Sequence, residues 1–393
     1  MKVVVAAVIG QLMFGLRLTA SLGFATPDPN KEDNNSSALL IKNATSPDVA
    51  NHQNSIEWFA QDAFFNAMPI LTWAIVVIGV LGVVGNIFII HVYIRLGFSE
   101  TIHMSYLALA VSDLCGVLAP MWIKVCYSSL IHTIFKGFQI GTDLTLFTNL
   151  TGYWPHFAFS RTTALITAWI SVERCLCVVF PLTIKRIITR SVTKLVLAMI
   201  FIIGCGPTMF PYIACRPEWR FDPLRNQTSF YILPDCIEGV DPLLRFALLV
   251  YGVVYPVFSN ATVTVSTVFL IIKLRQSAAR TKRNINAPTD DRPTIPSLQI
   301  VERKVSARTT RLTKTVIIVA VVFIICSLPM SLSVFWGLSV RGYSPNGDLR
   351  YLLKLNALII VVFSVLNSSV NVIIFTVMGS RFRATLLGIF CRK

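Results

Sequence analysis

The sequence predicts an all-α membrane protein, a seven-transmembrane helix bundle followed by a short amphipathic eighth helix. Three observations carry this. Of 393 residues, 54% are hydrophobic and only 14% charged, against about 25% charged in soluble domains, so the chain lacks the charge to cover a water-facing surface. Seven apolar runs, residues 69–94, 104–128, 147–178, 192–214, 243–272, 315–338 and 352–377, are each long enough for a tilted helix to cross a bilayer. Basic residues crowd into some of the loops between those runs and avoid others.

Taken in order, the chain opens with Lys2, an apolar run over 3–16 and small residues at Ala20 and Ala25, so residues 1–25 read as a signal peptide. Residues 26–66 are rich in Asn, Asp, Ser and Pro and carry acceptor sequons at Asn34, Asn35 and Asn43, which predicts a disordered, glycosylated extracellular tail. The membrane domain follows over 67–378. Pro120, Pro207, Pro211, Pro256 and Pro329 fall inside its spans and read as kinks, because neighbouring helices re-satisfy a broken backbone in lipid. Over 379–393, Phe382, Leu386, Leu387 and Phe390 share one helical face beside arginines, and this end predicts a short helix lying on the inner leaflet, then a short cytoplasmic tail.

Orientation comes from charge. Residues 273–314 hold 11 Lys or Arg against Asp290, Asp291 and Glu302, and Lys185, Arg186, Arg190 and Lys194 follow the third span. Both loops and the tail Arg381 and Arg383 belong inside, which puts the N-terminus outside, in agreement with the sequons. The net charge of +16 is then an attraction to membrane lipids rather than to nucleic acid. Nine cysteines without CxxC spacing and only five histidines give no support to a zinc site.

An ionisable or amide group inside a span costs several kcal/mol unless paired. Asp113 in the second span, Asn86 in the first, Thr163 in the third, and Asn367, Ser368 and Asn371 in the seventh, where Asn367 and Asn371 are one turn apart, are therefore candidates for a shared site. Oxygens converging on a carboxylate suit a small hard cation such as sodium with water; interhelical hydrogen bonding worth about 1 kcal/mol per bond is the alternative. At the inner end of the third span, Arg174 can pair with Glu173 while shielded, or swing to another partner when helices move.

Gly85-Asn86, Ser112-Asp113, Glu173-Arg174-Cys175 with Pro181-Leu182, Pro256, Phe323 ahead of Cys326 and Pro329, and Asn367 with Asn371 to Phe375 stand in the order and spacing of a known family. On them the chain resembles rhodopsin-like (class A) G-protein-coupled receptors, and around 173–182 it looks most like peptide and chemosensory receptors of molluscs. The resemblance implies a multi-pass plasma-membrane receptor, not an enzyme, that binds an extracellular ligand and activates a heterotrimeric G protein. It implies a sodium site at Asp113 with Thr163, Asn367 and Asn371, docking of the G protein by Arg174 and Leu182, and a hinge at Pro256, Phe323 and Pro329 through which the sixth helix swings outward.

Four departures from the family pattern stand out. Ser327 replaces the usual Trp ahead of the sixth-helix proline. Asn371 to Phe375 lacks the proline and the tyrosine that usually end the seventh helix. Arg308 and Arg311 stand where an acidic partner for Arg174 is expected, which predicts raised basal signalling. The cysteine expected at the outer end of the third helix falls near Asn149, which begins a sequon instead. Cys126 is then a candidate for an outer disulfide to Cys215 or Cys236, which flank a loop carrying the sequon at Asn226, and the pairing stays open.

For the ligand, His156 lies 18 residues before Arg174, five whole turns, and shares its inward face. Lys124 faces inward by the same reckoning from Asp113, and Ser160, Arg161 and Ser327 complete the candidate pocket. Arg161, about 220° round the helix from Arg174, points into it or at a neighbouring helix. Histidine where amine receptors carry an aspartate disfavours an amine, and Val365 cannot form the Schiff base retinal needs. A peptide or a small, anionic chemosensory molecule suits the cations, with no resident cofactor. A seven-span transporter or hydrolase is the rival reading; neither inverted repeats nor a metal-binding cluster appears in the sequence.

Overall fold

More than twenty apolar residues in a row leave a lipid-embedded backbone one local way to pair its N–H and C=O groups, the helix. The computed structural model describes residues 47–98, 100–137, 144–180, 184–213, 215–223, 226–234, 242–286, 296–340, 343 and 347–390. Its principal helices are α1 (Pro47–Leu96), α2 (Thr101–Cys126), α3 (Trp154–Val179), α4 (Arg190–Cys205), α5 (Tyr255–Asn286), α6 (Pro296–Ser339), α7 (Arg350–Met378) and α8 (Ser380–Phe390). Seven segments are long and apolar enough to span a membrane, Glu57–Leu96, Thr101–Cys126, Leu144–Val179, Arg190–Ile213, Phe246–Gln276, Leu312–Ser333 and Arg350–Met378, and each overlaps a run read from the sequence. The signal peptide, the sequons at Asn34, Asn35 and Asn43, the Pro181-Leu182 pair and Cys236 lie outside the described residues.

Three expectations change. Residues 47–66, read as irregular tail, form the start of α1: Pro47 opens the helix with Asp48 in its first turn, and the stretch to Pro69 then contains no Pro or Gly to stop it. Two of the prolines do more than kink. Just before Pro256 the helix widens into a π-turn, Val250–Val254, and at Pro207 it tightens into a 3-10 turn, Gly206–Thr208. Proline has no N–H and its ring crowds the carbonyl four residues back, and both turns relieve that crowding. The apolar face of α8 is also divided. Phe382 turns inward and is buried, Leu387 stays exposed, and the side chain of Phe390 is outside the described residues.

The loop between the fourth and fifth spans contains an antiparallel hairpin, β1 (Cys215–Asp222) and β2 (Gln227–Pro234), paired from Cys215 with Pro234 to Asp222 with Gln227. Trp219 and Phe230 face each other across it with ring centroids 5.4 Å apart. Asn226 at the turn adopts φ 49°, a left-handed conformation that asparagine tolerates.

The chain divides into two compact units, 1–74 with 328–362 and 75–327 with 363–393. In the first, Arg350 pairs with Glu57 at 2.6 Å, Tyr351 stacks near Phe64 and Phe65, and the Tyr343 hydroxyl accepts a 2.7 Å bond from Asn356. The second holds the main core, where Val92, Leu109, Ile166, Ile170, Leu270 and Phe375 are almost fully buried, and a smaller cluster in which Phe323 packs on Ala164, Ala168 and Val263. α3 packs against α2, α4 and α5 in this unit, and so its polar residues meet partners from several helices.

Candidate functional site

Glu173 is fully buried near the inner end of α3. An ionised carboxylate there must be bonded on most of its lone pairs. It accepts hydrogen bonds from Thr101 Oγ1 at 2.5 Å and Ser105 Oγ at 3.2 Å, both on α2, and from Arg174 Nη2 at 3.2 Å. Thr101 and Ser105 stand one turn apart, which aims both hydroxyls at one point. Arg174 is itself buried, yet its Nε has no hydrogen-bond partner, and neither has the hydroxyl of Tyr106 nearby. The pair is formed as expected, and the α2 hydroxyls are donors that sequence reading missed, although the spacing 101, 105, 109, 113 marks a single α2 face.

Beside this pair Tyr93, Tyr106, Phe375 and Phe382 form an aromatic cluster, with Tyr106 and Phe375 centroids 4.6 Å apart. Phe375, where the family ends in tyrosine, thus contributes packing rather than a hydroxyl. A cavity of about 370 Å³ opens here, lined by Tyr93, Tyr106, Leu312, Thr315, Phe375 and Phe382. Arg381 of α8 pairs with Glu100 at 3.1 Å and holds α8 to the start of α2.

One helical layer away, Asp113 is fully buried and accepts hydrogen bonds from Thr163 Oγ1 at 2.9 Å and Asn371 Nδ2 at 2.8 Å. The Ser368 side chain also bonds it. Asn86 Nδ2 donates to the carbonyls of Ser368 at 2.9 Å and Gly82 at 3.0 Å, while its buried Oδ1 has no partner. Asn367, about 100° round the helix from Ser368, is half-buried, and among the described residues no hydrogen bond joins it to the carboxylate, which Ser368 approaches from the same helix. A carboxylate, two hydroxyls and an orphaned amide oxygen fit a hard cation. No group of three His, Cys, Asp or Glu capable of holding a softer metal occurs among the described residues.

Of the pocket candidates, His156 does not stand free. It is buried, and its Nδ1 lies 3.1 Å from the Gly116 carbonyl on α2. Ser160 meets Ser364 Oγ at 3.3 Å, Ser327 Oγ donates to its own helix at Ile324 O, 2.9 Å, and Lys124 is half-buried near the end of α2. Arg161 turns to the neighbouring helix, where Nε donates to Tyr251 O at 2.8 Å. Pro329 lies inside α6. Cys126 is fully buried with a free thiol directed at Thr148 and Thr151 of the third span, so the bridge expected from it is not formed. The Asn149 sequon falls in a π-turn, Asn149–Tyr153, within the third span, and its Thr151 hydroxyl donates to Phe147 O and accepts from Trp122 Nε1.

Residues 85–375 match the family described as 7 transmembrane receptor (rhodopsin family). Galanin receptor 2b of Danio rerio is 25% identical over 314 residues, 79% of this chain and 72% of the relative. The human proto-oncogene Mas is 23% identical over 331 residues, 83% of each, and mouse neuromedin-U receptor 1 is 26% identical over 317 residues, 78% of this chain and 70% of that one. The matched family is one of receptors, not enzymes, and two of these relatives are receptors by name. With seven apolar helices, the buried Glu173-Arg174 pair and a match spanning most of its length, the chain belongs to the rhodopsin family of seven-transmembrane receptors.

Proposed function

We propose that this protein is a plasma-membrane receptor, N-terminus outside, that binds an extracellular peptide or small anionic chemosensory ligand and activates a heterotrimeric G protein by outward movement of the sixth helix. The observation that carries the coupling is the Glu173-Arg174 pair. Arg174 is buried with its Nε unbonded, and Glu173 is shared with two α2 hydroxyls. Such a guanidinium is under-bonded in this arrangement and gains partners in any state that opens the inner face. Pro329 within α6 is the hinge for that opening, and a ligand shifts the balance by its differential affinity for the open state. Relatives named for galanin and for neuromedin-U favour a peptide among the ligand classes; the likeness of 173–182 to molluscan receptors favours an invertebrate subgroup. Sodium held at Asp113 by Thr163, Ser368 and Asn371 fits the oxygens present and would favour the closed state.

The test is a G-protein activation panel in cells expressing the tagged protein, with and without pooled peptides and organic acids, and with Arg174→Ala alongside. Signal abolished by Arg174→Ala at equal surface expression is expected. Signal unaffected by it, or silence of the parent across all G-protein classes, overturns the proposal.

A further inference from the structure

Among the described residues Arg161 is a cation without a counter-charge. It lies 13 residues before Arg174, about 20 Å along α3 at 1.5 Å per residue, too deep to reach water at the inner face. The second to seventh membrane-spanning segments contain two carboxylates, Asp113 and Glu173. Both are committed, the first to Thr163, Ser368 and Asn371, the second to Arg174, Thr101 and Ser105.

The local backbone explains one of the guanidinium's five N–H groups. In an α-helix the Tyr251 carbonyl would take the N–H of residue 255, and in a π-turn that of residue 256. Tyr255 N–H instead bonds Val250 O, and Pro256 has no N–H, so the Tyr251 carbonyl is orphaned. Arg161 Nε–H fills that gap at 2.8 Å. Tyr251 is fixed from two further sides, its hydroxyl donating to Gly204 O at 2.9 Å and its ring packed edge-on to Tyr255. The guanidinium plane is therefore held before any ligand arrives.

Four N–H groups remain. Among the described residues no hydrogen bond or ion pair engages the two terminal nitrogens, and the side chain is half-buried, so both nitrogens keep some exposure. Capping a carbonyl needs one neutral donor; an amide would serve. A full charge left over in the middle of a span calls for an anion.

We propose that Arg161 is the anion anchor of the ligand site and that the ligand carries a carboxylate, taken side-on by the two terminal nitrogens. His156, whose Nδ1 is committed to Gly116, is not the anchor. This rests on the receptor reading above, and the test separates the two.

Detergent-purified full-length protein is challenged in a thermal-shift assay with peptides bearing a free C-terminus and the same peptides amidated, and with aliphatic and aromatic monocarboxylic acids against their primary amides. Activation of G protein is read in cells with the same probes. The variants are Arg161→Gln, which keeps a donor for Tyr251 but no charge, and Arg161→Lys, which keeps the charge without the fork. Carboxylates are expected to stabilise and activate where amides do not, with apparent affinity falling on the order of tenfold to a hundredfold in Arg161→Gln and by less in Arg161→Lys. Sodium chloride at matched ionic strength is the control: stabilisation by chloride alone, equal effects of acids and amides, carboxylate binding undiminished in Arg161→Gln, or no shift with any carboxylate overturns the anchor. Carboxylate-dependent thermal shift without G-protein signal would leave the anchor standing and overturn the coupling.

Discussion

A buried carboxylate that accepts from two hydroxyls as well as from an arginine is held in place by all three donors. At Glu173 those hydroxyls are Thr101 and Ser105 of α2, while the acceptor that an acidic residue near Arg308 and Arg311 would offer Arg174 is missing from the sequence. Hydrogen bonds to a charged group are worth about 1.5–3 kcal/mol each, so removing both donors leaves Glu173 under-bonded and weakens its closed arrangement. Thr101→Ala with Ser105→Ala is expected to raise ligand-free second-messenger output several-fold above the parent, itself above mock-transfected cells, at matched surface expression. Output no higher than the parent would mean that the α2 hydroxyls only pack. A second expectation concerns Asp113: replacing sodium by a larger organic cation should raise basal output in the parent and leave Asp113→Asn indifferent, because the neutral amide cannot supply the anionic oxygen the cation requires. An equal cation effect in both would place sodium elsewhere.

At the scale of elements, contact distance between helices is set by residues without side chains. A Cβ at Gly85 would lie 2.7 Å from Val372 Cγ1, and one at Gly204 would run into Thr162, so α1 approaches α7, and α4 approaches α3, at these points only because glycine is there. Gly85→Ala is expected to lower thermal stability in detergent by the equivalent of about 1–3 kcal/mol, the usual cost of overpacking, whereas Gly206→Ala, with nothing within 4 Å, should be close to neutral. Equal midpoints for the two variants would refute the close approach. Element existence was legible because bilayer thickness imposes a length on every span. Element type at the prolines was not: Pro256 in the sequence announces a break, but whether the helix widens or tightens there depends on what can cap the orphaned carbonyl, and the capping residue, Arg161, is 95 positions away in the chain. Counting 3.6 residues per turn from Arg174 along α3 left the direction of Arg161 undecided, because the count does not show what the neighbouring helix offers at that level. The hairpin had a readable signal in the alternation of Trp219 and Phe221, then Phe230 and Ile232, on either side of Pro223 and Asn226, outweighed by the apolar runs on both sides.

For the whole molecule, the proposed orientation rests jointly on the charge distribution and the sequons. On that proposal the basic stretches before α4 and between α5 and α6 lie inside and the hairpin outside, and Asn226 at its turn and Thr228 in β2 are both exposed. Asn149 is on the same side by that topology, but it lies within the third span, in a helical backbone, and Thr151 of its sequon is already bonded on both its donor and acceptor sides. Oligosaccharide transfer needs an accessible, extended sequon. The two sites, equivalent as sequence patterns, are therefore expected to differ: Asn226→Gln should remove an endoglycosidase-sensitive increment from the electrophoretic mobility of protein expressed in mammalian cells, and Asn149→Gln should change nothing. Modification at Asn149 would mean that the third span begins later than Leu144 or that its first turns unwind during synthesis. An unmodified Asn226 with a modified inner loop would invert the topology, and with it the assignment of the Glu173-Arg174 pair to the G-protein side and of Arg161 to the ligand side.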